Sequence, residues 1–283
     1  MKKILSSLFL IGSLTALFTS CKKDEFAKPA DTMQETAAVT STASGNGKFL
    51  PAAPTYTLAR RNKDSLVYYN DGRLAKVLNG PDSYVQYNYG FNTIIAKEYT
   101  LPANQLKKQM IYQIDPQLGR VYEAKSTVYL YNNNGVIVIT KTLKYDYYPD
   151  GHIQKQYNID KPLERSLFSW GDDGDITAVF FFNDKGAQYA IVQFPTLPAE
   201  DKLKLQPKRS QLDPYLKIFG KGFRHMIGRE LVHTDPNLPP ITDEILSYSY
   251  NADGYPVSCK VTDNITKNVI ADFTYSYLPK RSM

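Results

Sequence analysis

The chain has 283 residues, with 34 Lys and Arg against 28 Asp and Glu, and a formal net charge of +6. The basic residues are scattered and never form a run of five or six, so no nucleic-acid partner is predicted. The only cysteines are Cys21 and Cys259, which excludes a fold held together by several disulfides. A folded domain in this chain must therefore depend on its apolar core.

The first twenty residues have the pattern of a secretory signal. Lys2 and Lys3 are followed by an apolar stretch, 4–18, which at roughly 15 residues is short for a bilayer-spanning helix. The run 17–21, Leu-Phe-Thr-Ser-Cys, resembles a lipobox, in which the cysteine receives a diacylglycerol group and becomes the new N-terminus. We therefore predict a signal peptide over 1–20 and a membrane anchor on Cys21. An ordinary signal peptide with an incidental cysteine is the alternative.

The predicted tether begins at the lipidated cysteine and spans 21–54. It is rich in Ala, Thr, Ser, Gly and Pro, has little aliphatic bulk, and would reach roughly 30 Å as a flexible chain. Its first residues, Lys22-Lys23-Asp24-Glu25, resemble the lysine–acid signal that directs Bacteroidota lipoproteins to the outer face of the outer membrane. We therefore expect display at the cell surface. A solvated charge cluster on a periplasmic tether is the alternative.

A short unit recurs through the remaining residues, 55–283. An aromatic residue is followed by turn-forming residues and, four positions after the aromatic, by a glycine. The copies have their aromatic and glycine at Tyr68 and Gly72, Tyr131 and Gly135, Tyr147 and Gly151, Trp170 and Gly174, Phe182 and Gly186, and Tyr250 and Gly254. Asn or Asp before Gly favours a hairpin turn, and aromatics alternate at period two before the turns. The pattern predicts one all-β domain, an antiparallel hairpin meander forming a curved sheet or partial barrel.

One stretch interrupts this alternation. Leu212, Tyr215, Leu216, Phe219 and Phe223 recur at spacings of three to four residues. This spacing predicts a short amphipathic helix over 212–228, within a helical insertion near 201–232. Such an insertion could cover an open end or edge of the sheet.

The hairpin unit, the lipoprotein start and the insertion together resemble a family of uncharacterised Bacteroidota lipoproteins described as having a porin-like fold. The segment 246–257, Leu-Ser-Tyr-Ser-Tyr-Asn-Ala-Asp-Gly-Tyr-Pro-Val, is the part most similar to that family. The segment 69–74 is also similar to the Tyr-Asp repeats of large secreted toxin shells. Neither resemblance implies catalytic residues. Polar residues between the aromatics favour a water-facing sheet over a transmembrane barrel.

The sequence carries no catalytic motif, so we predict neither an enzyme nor a cofactor. The turn 172–175, Asp-Asp-Gly-Asp, could attract calcium, but a hairpin turn explains the same residues. Glu230 and His233 would share one face of a helix, yet zinc sites need three or four ligands. His152 and His225 are expected at the surface. No metal site is predicted.

The 22 tyrosines are the most suggestive feature for function. An inward-facing tyrosine ladder would form the core, whereas an outward-facing ladder would form a stacking platform for sugar rings or peptide. Trp170, Tyr275 and Tyr277 are the predicted ligand-contact aromatics, with Trp170 expected to be exposed. The first hypothesis is a surface binding module for a glycan or protein ligand. The second is a structural or accessory envelope component acting through protein–protein contacts, and a hydrolase is the third.

Surface display predicts that protease and antibody reach the domain on intact cells. Lysed cells serve as the control for total accessibility. Protection of the domain until lysis would contradict display and would place the domain on the periplasmic side.

Overall fold

The computed structural model describes residues 56–132 and 135–278. The predicted signal peptide, Cys21 and the tether lie outside the described residues. Within the described ranges, no helix is long and apolar enough to cross a membrane. The described residues therefore all belong to the predicted β domain, 55–283.

Strands make up almost the whole of this domain. In chain order they are β1 (Thr57–Arg61), β2 (Asp64–Tyr68), β3 (Leu74–Asn79), β4 (Ser83–Tyr89), β5 (Thr93–Thr100), β6 (Leu106–Ile114), β7 (Val121–Asn132), β8 (Gly135–Tyr147), β9 (Ile153–Asn158), β10 (Lys161–Trp170), β11 (Ile176–Phe182), β12 (Gln188–Gln193), β13 (Thr196–Glu200), β14 (His225–Ile227), β15 (Arg229–His233), β16 (Thr242–Tyr250), β17 (Pro256–Asp263) and β18 (Val269–Leu278). All pairings between them are antiparallel.

Sixteen of these strands form one closed barrel, and β13 and β14 form a separate two-stranded sheet. Each barrel strand pairs with its neighbours in chain order, except that β12 pairs with β15 across an insertion. The barrel closes where β18 pairs with β1, with Tyr277 opposite Leu58 and Tyr275 opposite Arg61. The predicted all-β meander is confirmed, and the sheet closes completely, so it has no free outer strand.

The recurring sequence unit forms the same hairpin in the five copies whose turn residues are all described. In the first copy Gly72 has φ +86°, its N–H donates to Tyr69 O at 2.9 Å, and Tyr69 N–H donates to Arg73 O at 2.8 Å. The ladder shifts register at Tyr68, the aromatic of the unit. The same register shift and positive-φ glycine recur at Tyr147 and Gly151, Trp170 and Gly174, Phe182 and Gly186, and Tyr250 and Gly254. Because glycine has no Cβ, it takes this left-handed conformation without steric cost.

Side chains alternate between the barrel interior and the outer surface. On β8, Leu143 and Tyr145 are each 6% exposed and face inward. Their neighbour Lys144 forms an outward ion pair with Glu123 of β7, with Nζ and Oε2 at 3.1 Å. The inward positions of most strands are apolar or aromatic, and they form one continuous core. Cys259, expected as a small buried residue of a strand, lies on β17 and is 1% exposed.

The insertion between β12 and β15 enters the barrel. We call residues 201–224 the plug. Its main chain bonds to the barrel as well as to itself: Lys221 N–H donates to Gly151 O at 3.0 Å, and Ile218 O accepts from Val121 N–H at 2.8 Å. Buried apolar side chains line it throughout; they are Leu203, Leu212, Leu216, Ile218, Phe219 and Phe223.

The predicted helical insertion is therefore wrong. The plug contains a single 3-10 turn, Lys208–Ser210, and no α-helix. Pro207 and Pro214 interrupt any helical hydrogen-bond ladder, and Gly220 adopts a left-handed φ of +83°. The spacing of three to four residues arises because an irregular chain packs apolar side chains against several sides of the barrel at once.

The packing of the plug predicts the effect of Phe219→Ala. Phe219 is 1% exposed and contacts the rings of Tyr112 and Tyr145, both at 5.9 Å between centroids. Loss of the ring would leave a cavity and lower the free energy of unfolding by about 3–5 kcal/mol, measured by urea titration. Phe91→Ala is the matched control, since Phe91 is 76% exposed. An unchanged unfolding midpoint for Phe219→Ala would contradict the packing.

Candidate functional site

The interior of the barrel is divided into a filled part and a cavity. Antiparallel strands place alternate turns at opposite ends of the barrel. One end, here the plug end, carries turns 69–73, 90–92, 115–120, 148–152, 171–175 and 251–255; the other carries turns 62–63, 80–82, 101–105, 159–160, 183–187, 234–241 and 264–268. The plug contacts the plug-end turns, as its bond to Gly151 shows.

Between the plug and the other end of the barrel lies a cavity of about 500 Å³, which we call the cup.

The wall of the cup is aromatic at mid-barrel height. Tyr87 on β4, Tyr112 on β6 and Tyr145 on β8 all face inward and are at most 6% exposed. Met110 and Leu143 fill the spaces between them. Burial raises the pKa of all three tyrosine hydroxyls, so they stay protonated. This wall offers large apolar faces with polar tips, which suits a ligand of mixed polarity.

The floor of the cup is the plug residue Asp213 with its neighbours. One carboxylate oxygen accepts hydrogen bonds from the N–H groups of Tyr215 and Leu216, at 3.0 and 3.2 Å. The other accepts from the Tyr87 hydroxyl at 2.9 Å. Burial raises the pKa of Asp213, although these bonds partly offset the shift. Tyr215 in turn donates to Asp64 of β2 at 2.6 Å, which fixes the floor to the barrel wall.

Polar side chains line the upper wall of the cup. Lys108 and Gln211 are exposed, so the cup opens to solvent beside them. Lys141 contributes a second ammonium group, paired with Glu164 at 3.1 Å. Gln156, on β9, is 8% exposed, and its side-chain oxygen has no hydrogen-bond partner. A buried amide oxygen without a partner is costly.

A carboxylate at the plug end holds the plug in place. Asp175 Oδ1 accepts hydrogen bonds from the N–H groups of Arg224 and His225, both at 2.8 Å, and its Oδ2 lies 2.6 Å from His225 Nδ1. Burial alone would raise the pKa of Asp175, but these bonds outweigh burial and hold it below its usual value.

The acidic turn considered for calcium is the turn that presents this carboxylate. Ligand atoms of Asp173, Asp175 and His225 lie within 4.8 Å of one another. Asp173 Oδ1 accepts from Asp175 N–H at 3.1 Å, as in a hairpin turn closed by an Asp side chain. Hydrogen bonds to Arg224 of the plug and His225 of β14 occupy both oxygens of Asp175. The geometry is therefore explained by the turn and its contact with the plug.

The structure places the three predicted contact aromatics inside the barrel rather than on its surface. Trp170 is half-buried against the core, stacks on Phe223 at 5.8 Å and donates its Nε1–H to Ile153 O at 2.7 Å. The expectation of an exposed Trp170 is therefore wrong. Tyr275 and Tyr277 face inward on β18 and also pack against the core. None of the three borders the cup, and their contact with a ligand stays a prediction.

The histidines also differ from expectation. His152 is 8% exposed and lies 4.2 Å from the Trp170 ring, so its predicted surface position is wrong. Glu230 and His233 lie on strand β15, where residues three apart face opposite sides. Glu230 faces inward and pairs with Arg209 of the plug at 3.4 Å. The period-two aromatics in the sequence included two cup residues, Tyr87 and Tyr145, whereas Gln156 and Asp213 carried no signal.

Comparison with known proteins supports the fold. No protein-family model matches the chain, and no curated protein matches its sequence. The barrel is similar to a crystal structure of a porin-like protein from Bacteroides vulgatus, at 15% sequence identity and a TM-score of 0.54, over 79% of this chain and 99% of that one. A porin-like protein from Bacteroides uniformis matches at 12% identity and 0.52, over 76% and 89%. At this identity the likeness shows a shared fold.

The bonds to Asp175 predict how stability depends on pH. Because its folded pKa lies below the unfolded value, the carboxylate stabilises the fold above the unfolded pKa and loses this effect as pH falls through the folded pKa. Asp175→Asn should lower the free energy of unfolding by about 1–3 kcal/mol at pH 7. The difference from wild type should shrink on acidification below about pH 4. Urea titrations across pH measure it, and a difference that grows on acidification would contradict the assignment.

Proposed function

We propose that the protein is a lipid-anchored envelope protein of the outer membrane, displayed in water at the cell surface. The Cys21 lipobox and the lysine–acid start of the tether support the anchor and the display. The outer face of the barrel carries ion pairs, such as Lys155 with Asp146 at 2.8 Å. A membrane barrel has an apolar outer face toward lipid, so these pairs favour a barrel surrounded by water. The first described residue, Tyr56, lies at the plug end, beside Tyr255. The cup therefore opens at the end of the barrel opposite Tyr56.

The cup is the ligand-binding site in this proposal. Its volume of about 500 Å³ falls within the range of roughly 300–1,000 Å³ usual for small-molecule sites. Tyr87, Tyr112 and Tyr145 supply apolar ring faces, and Lys108 and Gln156 supply polar groups. Stacking faces beside hydrogen-bonding groups suit a sugar, whose rings have one apolar face and a polar edge. We infer a mono- or disaccharide end of a glycan as the ligand class.

One observation carries this proposal: the buried side-chain oxygen of Gln156 has no hydrogen-bond partner in the protein and borders the cup. Rotation of the amide toward the cup would let a ligand hydroxyl satisfy this oxygen. Amide oxygen and nitrogen can be exchanged in position, yet either assignment leaves a polar atom of Gln156 available to a hydroxyl group, which can donate or accept.

The groups around the cup favour binding over catalysis. Asp213 is engaged by Tyr87, Asp64 by Tyr215, and Glu98 by Lys107 at 3.0 Å. Carboxylates held in this way act as structural acceptors. No histidine or cysteine lines the cup among the described residues. The proposed role is recognition without turnover.

The second candidate function, an accessory envelope component acting through protein contacts, is favoured by a separate observation. Large apolar side chains of β7 and β8 are about half exposed; they are Leu130, Tyr131, Val136, Ile137, Val138 and Ile139. Large apolar groups exposed together on one hairpin mark interaction sites. The two roles are compatible, since the patch and the cup use different residues.

The saccharide proposal predicts a selective loss of binding in Gln156→Leu. A glycan array screened with the wild-type chain would identify a ligand, and calorimetry would measure its affinity. We expect Gln156→Leu to weaken binding at least about tenfold, because the lost hydrogen bond contributes on the order of 1–3 kcal/mol. Gln86→Leu is the matched control, since Lys76 and Gln86 pair on the outer face.

Two outcomes would contradict the proposal. One is the absence of any saccharide ligand in the array. The other is equal affinity in Gln156→Leu and wild type, with both proteins folded by circular dichroism, because this would place the ligand outside the cup.

A further inference from the structure

The hairpin of β7 and β8 extends beyond the rest of the barrel. These strands have 12 and 13 residues, and they pair with each other from Glu123 opposite Lys144 to Asn132 opposite Gly135. Their outer neighbours stop earlier. The last pairing with β6 is at Val128, and the last with β9 is at Leu143. Residues 135–141 of β8 therefore have no strand on their second side among the described residues.

Both faces of this overhang are apolar and exposed. Val136 and Val138 lie on one face, at 50% and 54% exposure, and Ile137 and Ile139 lie on the other, both at 52%. The sequence has no charged residue between Lys125 and Lys141. The exposed edge, 135–141, is thus rich in β-branched residues. It has no proline or inward charge, the features by which proteins usually protect an exposed strand edge.

The unpaired main chain of this edge determines which kind of partner could cover it. Alternate residues of 135–141 direct their main-chain N–H and C=O groups away from β7, and these groups need partners when buried. Lipid offers none, so a bilayer would cover the side chains but leave the main chain unsatisfied. A flat protein surface would cover only one face. An added β-strand satisfies the main chain and contributes side chains to both faces.

We propose that this strand is supplied by a second copy of the chain, so that the β8 edges of two copies pair antiparallel around a twofold axis. In a register centred on Val138, that residue faces its own copy and Ile137 faces Ile139. Every one of these pairs is aliphatic and β-branched, a favourable cross-strand combination. No like charges oppose one another, because Lys141, the charged residue of 135–141, lies opposite Gly135 in this register. The pairing is self-complementary and closes as a dimer.

The dimer leaves the cup in use. Val138 lies on the outer face, since its β7 partner is Tyr129 and the adjacent pair Val128 and Ile139 faces inward. Paired hairpins would join the two barrels through one sheet, with the barrels pointing in opposite directions because the paired β8 strands are antiparallel. Two cups on one assembly would bind a multivalent glycan with higher avidity than one.

Disulfide crosslinking in cells tests the proposal on the full, anchored chain. Val138→Cys places a thiol at the twofold axis, where antiparallel strands bring opposed Cβ atoms close enough for a disulfide. The native Cys259 is buried and does not compete. After mild oxidation we expect a band of twice the monomer mass on a non-reducing gel, and its loss on reduction. Val257→Cys is the control, because Val257 is exposed on β17, between two paired strands.

A second variant separates specific pairing from chance collision. Adding Ile137→Lys to Val138→Cys places an ammonium group against Ile139 of the other copy, and the dimer band should fall at least fivefold. Absence of the band in Val138→Cys would overturn the proposal. A band of equal strength in Val257→Cys, or a crosslinked species of another mass, would overturn it as well.

Discussion

The width of the barrel is the constraint on which the rest of the structure depends. Eight strands enclose a lumen that their own side chains can fill, whereas about sixteen leave an open interior. Here sixteen strands close the sheet, and the plug supplies the apolar volume that the strands lack. Phe219 packs against Tyr112 and Tyr145, and Phe223 packs against Trp170. The core of this protein therefore forms between the plug and the strands.

The polarity of the cup follows from the same arrangement. The plug fills the barrel only from the plug end, so inward side chains near the other end face water and can be polar. Lys108, Lys141 and Gln156 stand there, whereas Ile153 and Ile176 occupy inward positions beside the plug. A channel would need both ends open. This chain closes one end with a packed segment, which produces a blind pocket suited to binding.

Local turn chemistry made the strands predictable, while the plug depended on contacts that the sequence does not display. Asn or Asp followed by Gly fixed the hairpins at Gly72 and Gly254, because only a few backbone conformations satisfy that unit. Barrel closure requires Tyr277 to meet Leu58, over two hundred residues away. The spacing of Leu212, Leu216 and Phe219 imitated a helix, and Gln156 became distinctive only once its oxygen was found unpartnered.

Hydrogen exchange of the plug amides tests most directly whether plug and barrel form one cooperative unit. The amides of Lys221 and Arg224 donate to Gly151 and Asp175 of the barrel. They should open with the same free energy as the amide of Val179, a strand residue with 0% exposure. Exchange of the plug amides that is orders of magnitude faster, while Val179 stays protected, would show that the plug leaves an intact barrel and would contradict the account.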